Sequence, residues 1–296
     1  MSRDIIGGVK RRIELTKNRN LKGGSMGEVA AGIVLYYPDH LLLKENIQSL
    51  SGQVDRIFLI DNSEHLDESP DHFKEYGNVT YVADGINKGI AAALNTMMMY
   101  ADNAGYEWLL TLDQDSIIPQ DFVRELLLHV DDKKDIAVVA PSYVDRNTGR
   151  HFGTEGCIEE CITSGSLNCV KAWKEVKGFD EYLFIDYVDF EYCERLRSAG
   201  WKIYQTEKAV LNHAIGETEY KTLFGREFKV MNHSAFRKYY QMRNYIYWQK
   251  KMGRFSLGST VLRYLAWSIK VVLWEDDKMR KLQEMTKGVK DGLLHS

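Results

Sequence analysis

Short apolar runs and helically spaced segments take turns along the first half of the chain. Val29–Tyr36 (VAAGIVLY) is almost wholly apolar and reads as a buried strand, and Leu41–Leu50 behind it spaces its leucines and Ile47 as a helix does. The alternation continues. Arg56–Ile60 (RIFLI) and Val79–Val82 predict a second and a third strand, and Gly89–Ala104 an alanine- and methionine-rich helix. Trp108–Leu112 predicts a fourth strand, Gln120–Val130 a helix and Ile136–Ala140 a fifth strand. Such a pattern builds βαβ units, so an α/β fold is expected, with a Rossmann-like, mostly parallel sheet and helices on both faces. Its binding crevice should lie beyond the carboxyl ends of the strands.

Polar residues fall at those ends. Tyr37-Pro38-Asp39 follows the first strand, Asp61-Asn62-Ser63 the second, Asp84-Gly85-Ile86-Asn87 the third and Asp113-Gln114-Asp115 the fourth. A single acid after a strand is commonly a helix cap or turn residue. The pair Asp113 and Asp115 asks for more. On a continued strand both side chains point the same way, and two like charges side by side need a cation. Carboxylates of this kind suit Mg²⁺ or Mn²⁺, which keep several waters and complete their shell with substrate phosphates. The expectation is a metal-assisted reaction on a phosphorylated substrate.

The second half is less regular. Ile162–Leu167 (ITSGSL) predicts a strand or loop of small residues, and Lys171–Val176 a short helix closed by Gly178. Asp186–Ser198 predicts a helix on which Asp186 and Asp189, three apart, share a face. Ala209–His213 predicts a last strand with His213 at its end. Between Lys221 and Arg254 stand nine Lys or Arg against Glu227 alone, interleaved with Tyr239, Tyr240, Tyr245, Tyr247 and Trp248. That mixture suits an anionic membrane surface, or a basic face above an aromatic contact with the core. Leu257–Trp274 then repeats Val261, Leu262, Leu265, Ile269, Val272 and Leu273 at helical spacing, the pattern of a helix packed on its neighbours.

Composition narrows the class. The 296 residues are 44% apolar and 27% charged, enough for a substantial core. A net charge of −3, with no recognition fold around the basic stretch, argues against nucleic acid. The apolar stretch 257–274 carries Arg263 and Lys270, so no transmembrane helix is expected. The four cysteines form no matched CxxC pairs and read as reduced thiols, with a cytoplasmic location, peripheral on the inner face of the membrane. Met1–Ser25 is polar and basic and ends in Gly23-Gly24-Ser25, so residues 1–25 are expected to be an N-terminal arm or an expression-derived segment rather than a secretory leader. Residues 26–220 are expected to form the main domain, and 221–296 a C-terminal helical region associated with membrane or acceptor.

These residues resemble the family 2 inverting glycosyltransferases of the GT-A fold, and most of all their rhamnosyltransferase branch. The resemblance runs from about Val29 to His213 and rests on signals in order: Tyr36-Tyr37-Pro38, Asp61-Asn62-Ser63, Asn87-x-Gly89 with Asn95, and the DxD of Asp113 and Asp115. Gly178-Phe179-Asp180-Glu181, Asp186–Arg195 and His213 follow. It implies that Asp61 holds the nucleobase of a nucleotide-sugar donor, with Tyr37, Asn87, Gly89 and Asn95 shaping the donor pocket. It further implies that Asp113 faces the ribose or donor sugar and shares with Asp115 and His213 the binding of Mn²⁺ or Mg²⁺. Asp189 is implied as the catalytic base, with Asp186 as its rival, because Asp186-Tyr187-Val188-Asp189 departs from the common Glu-Asp-x-Asp. Asp186, Glu191 and Trp173 are expected on the acceptor side. The look of Asp-Gln-Asp-Ser and of Arg237–Tyr240 with Arg243-Asn244 resembles enzymes that use dTDP-L-rhamnose, and the implied acceptor is a growing polysaccharide or lipid-linked glycan.

Other classes fit less well. A haloacid-dehalogenase-type phosphatase also carries DxD, but on the first strand of its domain and with Thr or Val where Ile117 stands. A nucleotidyltransferase would need a glycine-rich, basic phosphate loop near the N-terminus, and a dinucleotide dehydrogenase a GxGxxG turn. A non-catalytic sugar binder has no use for DxD, base and histidine together.

Overall fold

The computed structural model describes residues 29–65, 76–130, 135–146, 148–213, 219–223 and 225–295. The expected N-terminal arm lies outside the described residues. Nine strands form the central sheet: β1 (Val29–Leu35), β2 (Arg56–Asp61), β3 (Val79–Ala83), β4 (Trp108–Asp113), β5 (Ile136–Asp145), β6 (His151–Phe152), β7 (Gly156–Ile158), β8 (Ser166–Cys169) and β9 (Lys202–His213). Their order is β3-β2-β1-β4-β8-β5-β9-β7, with β6 on β5. The run β3-β2-β1-β4 is parallel, as is β5 with β9, and the antiparallel pairs begin at β8.

Helices α1 (His40–Leu50), α2 (Gly89–Ala104), α3 (Phe122–Leu127), α4 (Val170–Glu175) and α5 (Val188–Ser198) flank this sheet. Strand periodicity assigns the faces. Ala31, Ile33 and Leu35 of β1 share a core with Leu43 and Ile47 of α1 and Phe122 of α3. Ala30, on the other face, belongs to the core of Met97 and Met98 from α2 and Tyr192 from α5. Asp39 starts α1 by accepting from the amides of Leu41 (2.9 Å) and Leu42 (3.2 Å), and Gly105 ends α2 in the left-handed conformation.

Two expectations need correction, and the strand-or-loop expectation for 162–167 resolves into loop followed by strand. The strand run ends at Asp113, and Asp115 stands in a turn closed by the Ser116 amide on the Asp113 carbonyl (3.2 Å), so strand alternation does not set their directions. Of Ile162–Leu167 only the end is strand, because β8 starts at Ser166. Helix α5 begins at Val188, not Asp186: Asp186 and Tyr187 have φ of 63° and 66°, so Asp186 and Asp189 share no helical face.

The C-terminal region opens with a hairpin, β10 (Glu219–Leu223) and β11 (Arg226–Val230), before three helices, α6 (Ala235–Lys251), α7 (Leu257–Trp274) and α8 (Lys278–Leu294). α8 lies tightly on α6: a Cβ at Gly288 would sit 2.3 Å from the Tyr239 carbonyl oxygen. The basic and aromatic residues of α6, and Arg254 just after it, bond back to the main domain and to neighbouring acids. Lys238 joins Glu275 (2.6 Å), Lys251 joins Asp180 (2.5 Å) and Glu191 (2.7 Å), and Arg254 joins Glu194 (2.7 Å). Tyr247 donates to Asp180 (2.6 Å) and Trp248 to Glu194 (2.8 Å). Of the two meanings offered for this stretch, its ion pairs favour the basic face above a core contact.

α7 reverses its expectation. Its buried residues are Thr260 and Val271, while Val261, Leu262, Leu265, Ile269, Val272 and Leu273, the predicted packing stripe, are 48–70% exposed. Among the described residues no helix is long and apolar enough to cross a membrane.

Candidate active site

The strand order reverses between β1 and β4, where β1 leads toward β2 and β4 toward β8. A parallel sheet opens a crevice at such a switch point. Val34 of β1 is in register with Asp113 of β4, so the residues after both strands meet there. The Tyr36 amide donates to Gln114 Oε1 (2.8 Å) and Gln114 Nε2 returns a bond to the Tyr36 carbonyl (3.2 Å). Gln114 thus spans the switch point, between two aspartates left at the crevice.

The DxD backbone is fixed from three sides. Fully buried Asn46 of α1 donates to the Asp113 carbonyl (2.9 Å), and Ser164 Oγ accepts from the Asp113 amide (3.3 Å). Arg146 donates to the carbonyls of Asp115 and Asn212, both at 3.2 Å, and so ties the turn to the end of β9. His213 closes that strand in register with Asp145; its side chain lies outside the described residues. Asn46, Arg146 and Ser164 carry no motif, and only the fold identifies them; Gln114 stands inside the acidic motif, but its bracing role is shown by the fold alone. Among the described residues no group of three His, Cys, Asp or Glu side chains could hold a metal ion. Asp113 and Asp115, half-buried on one turn, supply two carboxylates, a donor set suited to a hard cation that is completed by phosphate oxygens.

Asp61, at the end of β2, is largely buried and accepts from the Ser63 amide (2.8 Å) and the Tyr81 hydroxyl (2.6 Å). A carboxylate has about four acceptor sites, so capacity for a ligand N–H remains. Tyr37, left-handed at φ 45°, donates its amide N–H to the Ser63 hydroxyl oxygen (2.8 Å), and its ring is exposed. The Asn87 side chain accepts from the Gly89 amide (3.0 Å), and Asn62 donates to the Gly89 carbonyl (3.0 Å). Gly89 is forced by its neighbour. At φ 82°, a Cβ there would sit 2.6 Å from the Phe184 carbonyl oxygen.

Three expected ligand contacts have other work in this fold. Asn95 spends all four of its hydrogen-bonding positions internally. Its amide donates to the Phe179 carbonyl and to Glu181 (both 2.9 Å), and its oxygen accepts from Trp173 Nε1 (3.0 Å) and the Phe179 amide (2.8 Å). Trp173 and Asn95 therefore knot the turn at 178–181 to α2, and neither offers its polar group to donor or acceptor. Glu191 is fully buried, with Arg195 across both oxygens (2.6 and 2.8 Å), and Arg195 continues to the Gly178 carbonyl (2.7 Å). An acceptor cannot reach it.

Asp189, on the first turn of α5, is half-buried and accepts from the Phe190 amide (3.0 Å). Desolvation pushes its carboxyl up to about 7, against the pull of backbone amides and with the push of the charges on Asp186 and Glu160. The charges of Asp189 and Asp113 both bear on buried Tyr143 and oppose its ionisation, so both carboxylates lie on the Tyr143 side of the sheet's carboxyl edge. Asp186 is differently placed. Arg237 of α6 takes both its oxygens, Nη2 on Oδ1 at 2.6 Å and Nε on Oδ2 at 3.2 Å. Both oxygens of the Asp186 carboxylate are thus committed to an ion pair rather than presented to the crevice.

Residues 33–173 match the profile described as Glycosyl transferase family 2. The dTDP-rhamnosyl transferase RfbF of Shigella flexneri is 28% identical over 235 residues, covering 73% of this chain and 78% of that protein. Among solved structures, the mannosyltransferase PcManGT from Pyrobaculum calidifontis, in complex with GDP-Man and Mn²⁺, superposes with a TM-score of 0.57 at 12% identity over 91% of this chain and 76% of its own. GalNAc-T7 with UDP, GalNAc and Mn²⁺ gives a TM-score of 0.57 at 14% identity, covering 90% of this chain and 55% of its own. At such identities the structural likeness speaks for the fold, which is GT-A. The phosphatase reading is not favoured, since DxD follows the fourth strand of this sheet. A switch-point crevice with DxD at its lip accords with these matches: a glycosyl transferase family 2 domain over residues 33–173, in a glycosyltransferase of the GT-A fold.

Proposed function

We propose that this enzyme is a metal-dependent inverting glycosyltransferase that moves L-rhamnose from dTDP-L-rhamnose to a hydroxyl of a growing polysaccharide or lipid-linked glycan. The observation that carries this reading is the DxD turn at the switch point, with Asp189 half-buried on the first turn of α5 and its charge, like that of Asp113, felt at Tyr143. A base in that position takes the proton from the acceptor hydroxyl. The acceptor oxygen then attacks the anomeric carbon from the side opposite the diphosphate, the bond to the diphosphate breaks, and the configuration inverts. Asp113, Asp115 and, at the end of β9, His213 are the residues that would hold Mn²⁺ or Mg²⁺. The ion would let a polyanion bind beside two aspartates and offset charge on the leaving oxygen. Asp61, with acceptor capacity to spare, suits the ring N–H of a pyrimidine base, and Tyr37 the face of that base. The name of the relative from S. flexneri supports rhamnose as the sugar.

A lipid-linked acceptor places the enzyme at a membrane surface, and α7 is the element suited to it. Its exposed stripe is apolar, and the helix carries Arg263 and Lys270 and no acid. An in-plane helix with an apolar face and flanking cations and aromatics binds anionic lipid without crossing it. Arg263 of α7 reaches the Tyr187 hydroxyl (3.4 Å), two residues before Asp189, so a docked α7 brings the acceptor side of the crevice to the lipid headgroups.

The test is turnover. Purified enzyme with dTDP-L-rhamnose and Mn²⁺ should release dTDP in the presence of a rhamnose-accepting glycan and give a product of inverted anomeric configuration by NMR. A retained configuration, or no preference for dTDP-L-rhamnose among nucleotide sugars, defeats the proposal.

A further inference from the structure

The segment between the turn at 178–181 and α5 follows an unusual path. Phe184, Asp186 and Tyr187 have φ of 61°, 63° and 66°, three left-handed non-glycine residues within four positions. Side chains rarely accept this conformation, and a chain that keeps it is held from outside. The segment's own backbone offers little, since Ile185 bonds only back to Leu183 (2.7 Å). The holding comes from α6. Fully buried Asn244 has its side-chain nitrogen at 2.7, 2.7 and 2.9 Å from the carbonyls of Leu183, Ile185 and Asp186. Arg243 donates to the carbonyls of Tyr182 and Leu183 (the latter 3.2 Å) and orients Asn244 through its side-chain oxygen (2.8 Å). Arg237 adds the two-pronged bond to the Asp186 carboxylate.

On its other side the same segment meets the donor half of the crevice. The Phe184 carbonyl accepts from the Ile90 amide (2.7 Å), and its ring lies against Gly89. Asp189 follows Asp186 by three residues, and among the described residues no side chain grips its carboxylate as Arg237 grips that of Asp186. We propose that Arg237, Arg243 and Asn244 are positioning residues: α6 holds Leu183–Tyr187 in its left-handed path and thereby aims the Asp189 carboxylate at the crevice. The Arg-Lys-Tyr-Tyr and Arg-Asn pattern of this helix thus acts on the proton acceptor rather than on the sugar. The inference rests on Asp189 as the base.

Two variants separate positioning from mere support of the fold. Asn244→Ala removes the carbonyl clamp, and Arg237→Gln removes the charge beside Asp186 from a side chain 37% exposed, which tolerates change. The expected result for both is a fall in kcat of about tenfold to a hundredfold with KM for dTDP-L-rhamnose within about twofold of the parent, the signature of a displaced reacting group. Arg237→Gln also leaves the Asp186 charge uncompensated, so the acidic limb of its kcat–pH profile should move to higher pH, and Arg237→Lys should return it. The groups facing this carboxylate pair are Arg237 and His233 from the C-terminal side, Tyr187 beside it, and Glu160, Tyr143 and Cys161 near Asp189. Fold support alone would lower the amount of active protein and leave the limb in place. Parent-like kcat in both variants, or a loss confined to donor KM, overturns the proposal. Asp189→Asn run alongside distinguishes the failures: if it stays active, the base assignment falls and positioning with it, whereas if it is inactive while the α6 variants are normal, only positioning falls.

Discussion

Gln114 and Tyr36 hold each other across the switch point, amide to side-chain oxygen at 2.8 Å and side-chain nitrogen to carbonyl at 3.2 Å. The middle residue of the DxD turn is therefore a brace between β1 and β4, and it sets where Asp113 and Asp115 stand relative to Tyr37. Gln114→Ala should weaken nucleotide binding by roughly tenfold, the worth of one or two net hydrogen bonds, with a smaller effect on kcat. Isothermal titration with dTDP and Mn²⁺ measures it. Unchanged affinity would show that the turn keeps its place without the brace.

Removing Asp115 should abolish metal-dependent donor binding. Asp115→Ala is expected to lose the stabilisation that Mn²⁺ with dTDP gives the parent in a thermal-shift assay, and several kcal/mol of barrier lowering with it. EDTA treatment of the parent should do the same, reversibly. A parent indifferent to EDTA would overturn metal dependence.

Asp189→Asn should lower kcat by about 10²–10⁴ while donor affinity persists. Asp186→Asn, which loses an ion pair and not the proton acceptor, should lose less. Because Asp189 must be ionised to act and burial lifts it to about 7, parent activity should rise with pH through about 7.

The same shift affects stability. The folded protein holds the Asp189 proton more firmly than the unfolded chain, so this residue's contribution is full below the ordinary aspartate range and is lost as pH rises through about 7. Asp189→Asn should then melt above the parent at pH 8 and close to it at pH 4. Equal melting temperatures at both pH values would mean that Asp189 is well solvated.

The exposed stripe of α7 makes a separate prediction. The parent should float with vesicles containing one-third phosphatidylglycerol at low salt, and the triple variant Leu262→Glu, Leu265→Glu, Ile269→Glu should float at least about tenfold less, since it exchanges three apolar insertions for repelled charges. Dimerisation that the triple variant abolishes, without vesicle binding by the parent, would assign the stripe to a second copy of the chain.

Local order was legible early. Apolar runs and polar punctuation located β1 to β4, α1, α2 and the crevice-side residues Tyr37, Asp61 and Asp113, because strand burial and strand ends are written in neighbouring residues. The period-of-three argument failed for Asp186, since three left-handed residues interrupt the helix and only contacts from α6, over fifty positions away, make them tolerable. Asn95 and Glu191 looked like ligand contacts, and their internal bonds to Trp173, Phe179 and Arg195 could not be read from spacing.

The α7 stripe marks the same divide. By itself the sequence determined that Leu257–Trp274 is an amphipathic helix, that the chain alternates strands and helices, and that paired acids follow the fourth strand, because these depend on residues within a turn or two of each other. Which face of α7 meets the protein, which carboxylate is gripped by an arginine and which is left desolvated depend on where distant segments pack. Those were decided only by the tertiary structure, which sets the solvation and the charge around each group.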